Sequence, residues 1–138
     1  MEQNGNLIIS SDKSKLDVVL IHDFLTKSYW AEGRTIEQVQ ITIDNSICFG
    51  VYLKGEQIGF ACVMTDGVVF GYLMDVFILE QHSGKGYSKL LLKEIFSHPQ
   101  LIHIPKWLLG TKDAHALYKQ FGFTELSHPE RLMEWIKK

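Results

Sequence analysis

Val76-Phe77-Ile78-Leu79-Glu80-Gln81-His82-Ser83-Gly84-Lys85-Gly86-Tyr87-Ser88-Lys89-Leu90-Leu91 sets the architecture of this chain. An apolar strand-like run feeds a short polar loop with two glycines, and a helix follows. Glycines let the backbone curl so that successive N–H groups point at one spot, and a helix N-terminus adds about half a positive charge there. Such a loop suits a phosphate-rich ligand. Lys85, Lys89 and Lys93 recur at i, i+4 and i+8, away from the leucine face. The loop is not a nucleotide-triphosphate loop, since GxxxxGK[ST] is absent. Nor is it the dinucleotide fingerprint GxGxxG, because Lys89 stands where the third glycine belongs.

Upstream of the loop the apolar pattern has a strand's period. Residues 47–53 read as a strand, Lys54-Gly55-Glu56 as a turn, and 57–65 as the next strand. Asp66-Gly67 is a hairpin signal, and 68–79 reads as a long third strand. Two tight turns in succession make an antiparallel meander. Toward the N-terminus, Leu7-Ile8-Ile9 is a short strand candidate, and Ser10-Ser11-Asp12 can cap a helix with the stripe Leu16, Val19, Leu20 and Phe24. A second helix fits 35–44, with Thr35 as cap and Ile36, Val39 and Ile43 on one face.

Downstream, the helix after the loop runs to about Ser97 on a face of Leu91, Leu92, Ile95 and Phe96, and His98-Pro99 stops it. Residues 106–109 form a strand. Asp113 caps a last helix with the stripe Ala114, Leu117, Tyr118 and Phe121, ended by Gly122. Residues 123–126 and 132–136 are closing strand candidates. The order of elements predicts an α+β domain with a meander and a strand–helix–strand crossover.

Composition sets the outer bounds. The chain has 138 residues and 15.8 kDa, enough for one domain over 1–138 and too little for two ordinary cores. Hydrophobic residues are 46% and charged ones 22%, which excludes disorder as the main state. No apolar run approaches the roughly 18 residues of a membrane span. The polar start, residues 1–6, has no pattern of a secretory signal. A net charge of −2 gives no global attraction to nucleic acid or to an anionic membrane. Cys48 and Cys62 lie in apolar runs without ligand spacing. They read as buried thiols of a cytoplasmic protein, not as a disulfide or zinc site.

The chain from about Phe49 to Phe123 resembles the GNAT superfamily of acyl-CoA-dependent N-acetyltransferases. Residues 76–91 look like the family's cofactor motif. Asp113-Ala114-His115-Ala116-Leu117-Tyr118-Lys119-Gln120-Phe121-Gly122-Phe123 looks like its second motif, a helix ending in Tyr-x-x-x-Gly-Phe. The resemblance implies a mixed, mostly antiparallel central sheet with helices on both faces and a splayed central strand pair. It also implies acetyl-CoA as cosubstrate, a primary amine of a small molecule or protein as acceptor, and homodimers as a common state. The family loop is Q/R-x-x-G-x-G/A. Aligned on the following leucines, Ser83 takes the Gln/Arg position, Gly86 the first glycine and Ser88 the small residue. Gln81-x-x-Gly84-x-Gly86 also satisfies the pattern, two residues earlier.

Roles follow from the same alignment. The backbone of Val76, Phe77 and Ile78 pairs with the pantetheine arm and the thioester carbonyl. Ser83, Gly84, Lys85, Gly86, Tyr87 and Ser88 hold the pyrophosphate. Tyr118 occupies the general-acid position, although its stripe equally suits a core tyrosine. Asp75, the acid inside the long strand, is a candidate base or a structural aspartate bonded to a neighbouring loop. Glu80 and His82 flank the loop as weaker bases. The acceptor side falls to the loop between the first two helices, where Tyr29, Trp30, Glu32 and Arg34 offer an aromatic wall with charges. His22 and Asp23 point about 100° apart on a helix. His103, His115 and His128 lack ligand spacing, so no metal is assigned. The alternative to an enzyme is a non-catalytic acyl-CoA sensor or interaction module.

Overall fold

A computed structural model describes residues 6–137, so the polar start over residues 1–5 lies outside it. Five strands form one sheet in the order β1-β2-β3-β4-β5. They are β1 (Leu7–Ser10), β2 (Ile47–Leu53), β3 (Glu56–Thr65), β4 (Phe70–Ile78) and β5 (Lys106–Leu109). The first four pair antiparallel and β5 lies parallel to β4. The helices are α1 (Val18–Thr26), α2 (Ile36–Asp44), α3 (Tyr87–Ser97) and α4 (His115–Lys119). No helix among the described residues is long and apolar enough to cross a membrane.

Each face of the sheet carries its own core. On one face Ile21 and Leu25 of α1 and Val39 and Ile43 of α2 pack on Cys48, Phe60, Cys62 and Phe77. On the other, Leu91, Leu92 and Ile95 of α3 and Tyr118 of α4 pack on Phe49, Val51, Ala61, Val63 and Leu73. The mixed sheet with helices on both faces is the architecture the sequence predicts. Both cysteines are buried and free, opposite one another across β2 and β3. The Cys62 thiol beside it and burial push the Cys48 thiol upward.

Local chemistry explains where elements begin. Thr35 closes a capping box with Gln38 at the start of α2, as its sequence predicts. Asp12 instead caps a 3-10 turn (Lys13–Lys15), and Asp17 caps α1 by accepting from the Leu20 N–H at 3.1 Å. The helix therefore starts later, and Val19 of the predicted stripe is 67% exposed. Strand β4 begins at Phe70, not 68. The Asp66 carboxylate accepts from the N–H groups of Val68, Val69 and Phe70, which extends the turn. Phe96 of the α3 face is half-buried, and Tyr87 takes its place in the fully buried set.

Two further expectations fail. Asp113 does not cap α4. The cap residue is Ala114, without a side-chain bond, and its N–H donates to Thr111 Oγ1 at 3.2 Å. The closing segments 123–126 and 132–136 are not strands, because neither pairs with another segment among the described residues.

Candidate active-site cleft

Strand β4 holds a defect that builds the site. Cys62 of β3 faces Met74 and Phe60 faces Phe77, so two residues, Asp75 and Val76, oppose the single Ala61. Asp75 is the extra residue of this β-bulge, in the left-handed region at φ 57°. An inserted residue reverses the alternation of everything beyond it. Leu73 accordingly belongs to the α3 face and Phe77 to the α1–α2 face, although they are four residues apart. Without the bulge both would share a face.

The same stretch loses its second neighbour. Pairing of β4 with β5 runs from Phe70 opposite Lys106 to Leu73 opposite Leu109 and then ends. Beyond it β4 continues to Ile78 with no described strand on that side. The opening is a cleft of about 680 Å³, a size suited to a small-molecule site. One wall is residues 72–78 of β4 and the other is residues 109–111 and α4. This is the splayed central pair that the resemblance implies.

At one end of the cleft lies the glycine loop. Gly84 has φ 77° and Gly86 φ 81°, and a Cβ built on either meets nothing within 4 Å. Their requirement is conformational, since left-handed backbone strains any residue with a side chain. Gly86 is also the N-cap of α3, so no side chain claims the helix's first N–H groups. An anion therefore fits this cradle. Ser83, Tyr87, Ser88 and Lys89 line the cleft here, whereas Lys85 is exposed outside it. The Ser83 hydroxyl donates to the Glu80 carbonyl at 2.8 Å.

At the opposite end, the loop between α1 and α2 is tied to the bulge. Asp75 is 5% exposed, and both its oxygens are engaged. Trp30 Nε1 donates to Oδ1 at 2.9 Å and Arg34 Nη1 to Oδ2 at 2.6 Å. Tyr29 stacks edge-on against Trp30 at 5.1 Å and accepts from the Lys112 N–H at 2.9 Å. Lys112 Nζ also lies 5.4 Å from the Tyr29 ring centre. Tyr29, Trp30, Arg34 and Asp75 thus form one connected wall. Glu32 does not line the cleft; it lines a second, shallow depression together with Trp30 and Arg34. His82 lines the cleft, with a buried Nδ1 that has no partner.

Tyr118 of α4 also lines the cleft. Its ring is 8% exposed and packs edge-on against Phe123 at 5.9 Å. Burial, with a smaller contribution from Tyr29, pushes its phenol up to about 12. No described residue accepts a hydrogen bond from the hydroxyl, and it is not among the fully buried unpaired groups. A core tyrosine would have its hydroxyl satisfied by the protein. Residues that sequence reading leaves unassigned also line the cleft: Phe24, Tyr72, Leu109, Gly110, Thr111 and Leu117. Their only sequence signal is position beside the motifs.

A bulged strand parting from its neighbour, a glycine cradle at a helix N-terminus and Tyr118 all line one cleft. The Acetyltransferase (GNAT) domain matches residues 44–125, more than half of the chain. The chain belongs to the GNAT acetyltransferase family and is an acyltransferase by that membership. It is 30% identical, over 88% of its length and 81% of the relative's, to a Gibberella zeae protein with the provisional name acetyltransferase FG08082. A GNAT-family structure from Xanthomonas campestris superposes with a TM-score of 0.93 at 40% identity, covering 99% of this chain and 96% of that one. A GNAT-family acetyltransferase of Elizabethkingia anophelis, solved with acetyl-CoA bound, shares the fold. Its TM-score is 0.69 at 15% identity, with coverage of 98% and 90%.

Proposed function

We propose that the protein transfers an acetyl group from acetyl-CoA directly to a primary amine. The observation that carries this reading is the convergence of the glycine cradle, the unpaired stretch of β4 and the free Tyr118 hydroxyl on one cleft. Acetyl-CoA supplies an activated thioester carbonyl, so the protein needs to hold that carbonyl, admit a neutral amine and assist the departing thiolate. The N–H groups at Gly86 and the start of α3 hold the pyrophosphate. The unpaired backbone of Val76, Phe77 and Ile78 receives the donor's amide-rich arm and carbonyl as an added strand would be received. As the C–N bond forms and the C–S bond breaks, Tyr118 gives its proton to the sulfur, and the proton shed by the acylated nitrogen passes to solvent water and restores the phenol. A phenol pushed up to about 12 remains protonated at neutral pH and is available to donate.

The acceptor enters beside Tyr29, Trp30 and Arg34. Asp75 acts here as the anchor of that wall. Serving as proton acceptor would require it to release Trp30 or Arg34. The test is release of free thiol when the protein is incubated with acetyl-CoA and a panel of amines. Amine-dependent thiol release is expected. A CoA-induced rise in melting temperature without thiol release with any amine would instead establish an acyl-CoA sensor. That second reading draws on Ser83, a short side chain whose hydroxyl proton is engaged by the Glu80 carbonyl.

A further inference from the structure

The acceptor end of the cleft is aromatic and holds unspent cationic donors. Tyr29 is 58% exposed, Trp30 40% and Tyr72 38%, and all three line the cleft. Exposed aromatic side chains gathered in a concavity mark a contact for the apolar part of a ligand. Arg34 lines the same cleft, with 21% of its side chain exposed. A guanidinium carries five N–H donors, and Asp75 is bonded to Nη1 alone. Nη2 and Nε have no acceptor among the described residues, and neither is among the buried unpaired atoms. Both therefore remain open to a ligand.

The charges at this end do not suit a polycation. Both Asp75 oxygens are spent on Trp30 and Arg34. Glu32 lines the shallow depression and not the cleft. Lys112 Nζ already lies over the Tyr29 ring, the place a cationic acceptor would seek. The other acid lining the cleft is Asp113, which is exposed. One guanidinium with spare donors and one exposed carboxylate match a zwitterion. The planar edge of a guanidinium fits a carboxylate. A dianionic phosphate would call for more positive charge than one guanidinium already shared with Asp75.

On the acetyl-transfer reading proposed above, we infer that the acceptor is an α-amino acid with an apolar, preferably aromatic, side chain, held by its carboxylate on Nη2 and Nε of Arg34. Its side chain packs on Tyr29, Trp30 and Tyr72. The α position follows from adjacency. Asp75, which pins Arg34, directly precedes the Val76–Ile78 backbone that receives the thioester carbonyl. The attacking amine must therefore lie close to the carboxylate, and in an α-amino acid one carbon separates them. The ammonium sheds one proton to water before attack and a second after it, and the second restores the phenol of Tyr118. The products are the N-acetyl amino acid, the thiol of CoA and one proton.

Thiol release should be followed with acetyl-CoA and phenylalanine, tryptophan, phenethylamine, tryptamine, spermidine or O-phosphoethanolamine. Each amino acid should exceed its decarboxylated partner in kcat/KM by roughly 10–100-fold, the worth of a charged hydrogen-bonded pair. In Arg34→Lys, which keeps a cation beside Asp75, that ratio should fall several-fold. In Arg34→Met combined with Asp75→Asn, which leaves no unpaired buried charge, it should approach one. A CoA-induced rise in melting temperature checks that each variant is folded. Phenethylamine, tryptamine, spermidine or O-phosphoethanolamine turned over as well as the amino acids overturns the inference and leaves acetyl transfer standing. A ratio unchanged in a folded variant also overturns it, because the carboxylate is then not read by Arg34. No thiol release with any amine overturns the acetyl-transfer reading and this inference together.

Discussion

Arg34 and Asp75, 41 residues apart in sequence, meet through a 2.6 Å contact between Nη1 and Oδ2 at the bulge of β4. The Asp75 side chain is 2% exposed and that of Arg34 21%. The pair couples the conformation of the central strand to the wall of the cleft opposite the glycine loop.

Asp75→Asn isolates the charge. Asparagine tolerates the left-handed backbone and still accepts from Trp30. Arg34 then keeps a charge without its partner, at a cost of roughly 2–3 kcal/mol. The expected outcome is a lower melting temperature and a raised KM for the amine, with the KM for acetyl-CoA little changed. Equal shifts in the two constants would show that the pair does not organise the acceptor side.

Tyr118→Phe keeps the ring on Phe123 and removes only the hydroxyl. A positioned acid is typically worth 10²–10⁴-fold, and because a thiolate departs readily unaided, a fall in kcat of roughly 10–100-fold is expected. The melting temperature should stay within the equivalent of about 0.5 kcal/mol, because no protein hydrogen bond is lost. An intact kcat with a lower melting temperature would return Tyr118 to the core.

Gly86→Val should abolish the rise in melting temperature on adding CoA. A β-branched residue resists φ 81°, and its Cβ enters the open space of the cradle. Gly86→Ala should lose about 1–2 kcal/mol from backbone strain alone. If Gly86→Val still responds to CoA, the earlier loop register holds and Gly84→Val becomes the informative substitution.

Alkaline pH should destabilise the protein between about pH 10 and 12. Burial pushes Tyr52 and Tyr118 each up to about 12, from the ordinary value near 10. The folded state thus retains protons that the unfolded state releases. The stability is complete below pH 10 and lost as pH rises toward 12. Tyr52→Phe and Tyr118→Phe together should flatten that loss in melting scans at stepped pH. At neutral pH Tyr52→Phe should be neutral or stabilising by about 1 kcal/mol, since the Tyr52 hydroxyl is buried without a partner.

The sequence by itself determined what short-range chemistry dictates. Thr35 and Gln38 cap α2 wherever the helix lies, and Gly84 and Gly86 permit a left-handed loop before α3 under any packing. The hairpins at Gly55 and Gly67 and the short continuous apolar runs of β2 and β3 order the sheet locally. From these the family pattern and the residues of the cradle were legible. Tertiary structure decided everything that depends on a distant partner. Nothing near Asp75 marks it as the extra residue of a bulge, because the bulge exists only by count against Ala61 on β3. That insertion sends Leu73 and Phe77 to opposite faces, which no alternation within β4 could show. Asp12 and Asp17 are equally good caps in sequence, and α1 starts at the second, whose N–H is held by Gln57 Oε1 at 2.7 Å. Residues 132–136 qualify as a strand by composition, but a strand is a relation between two segments, and no segment among the described residues pairs with them.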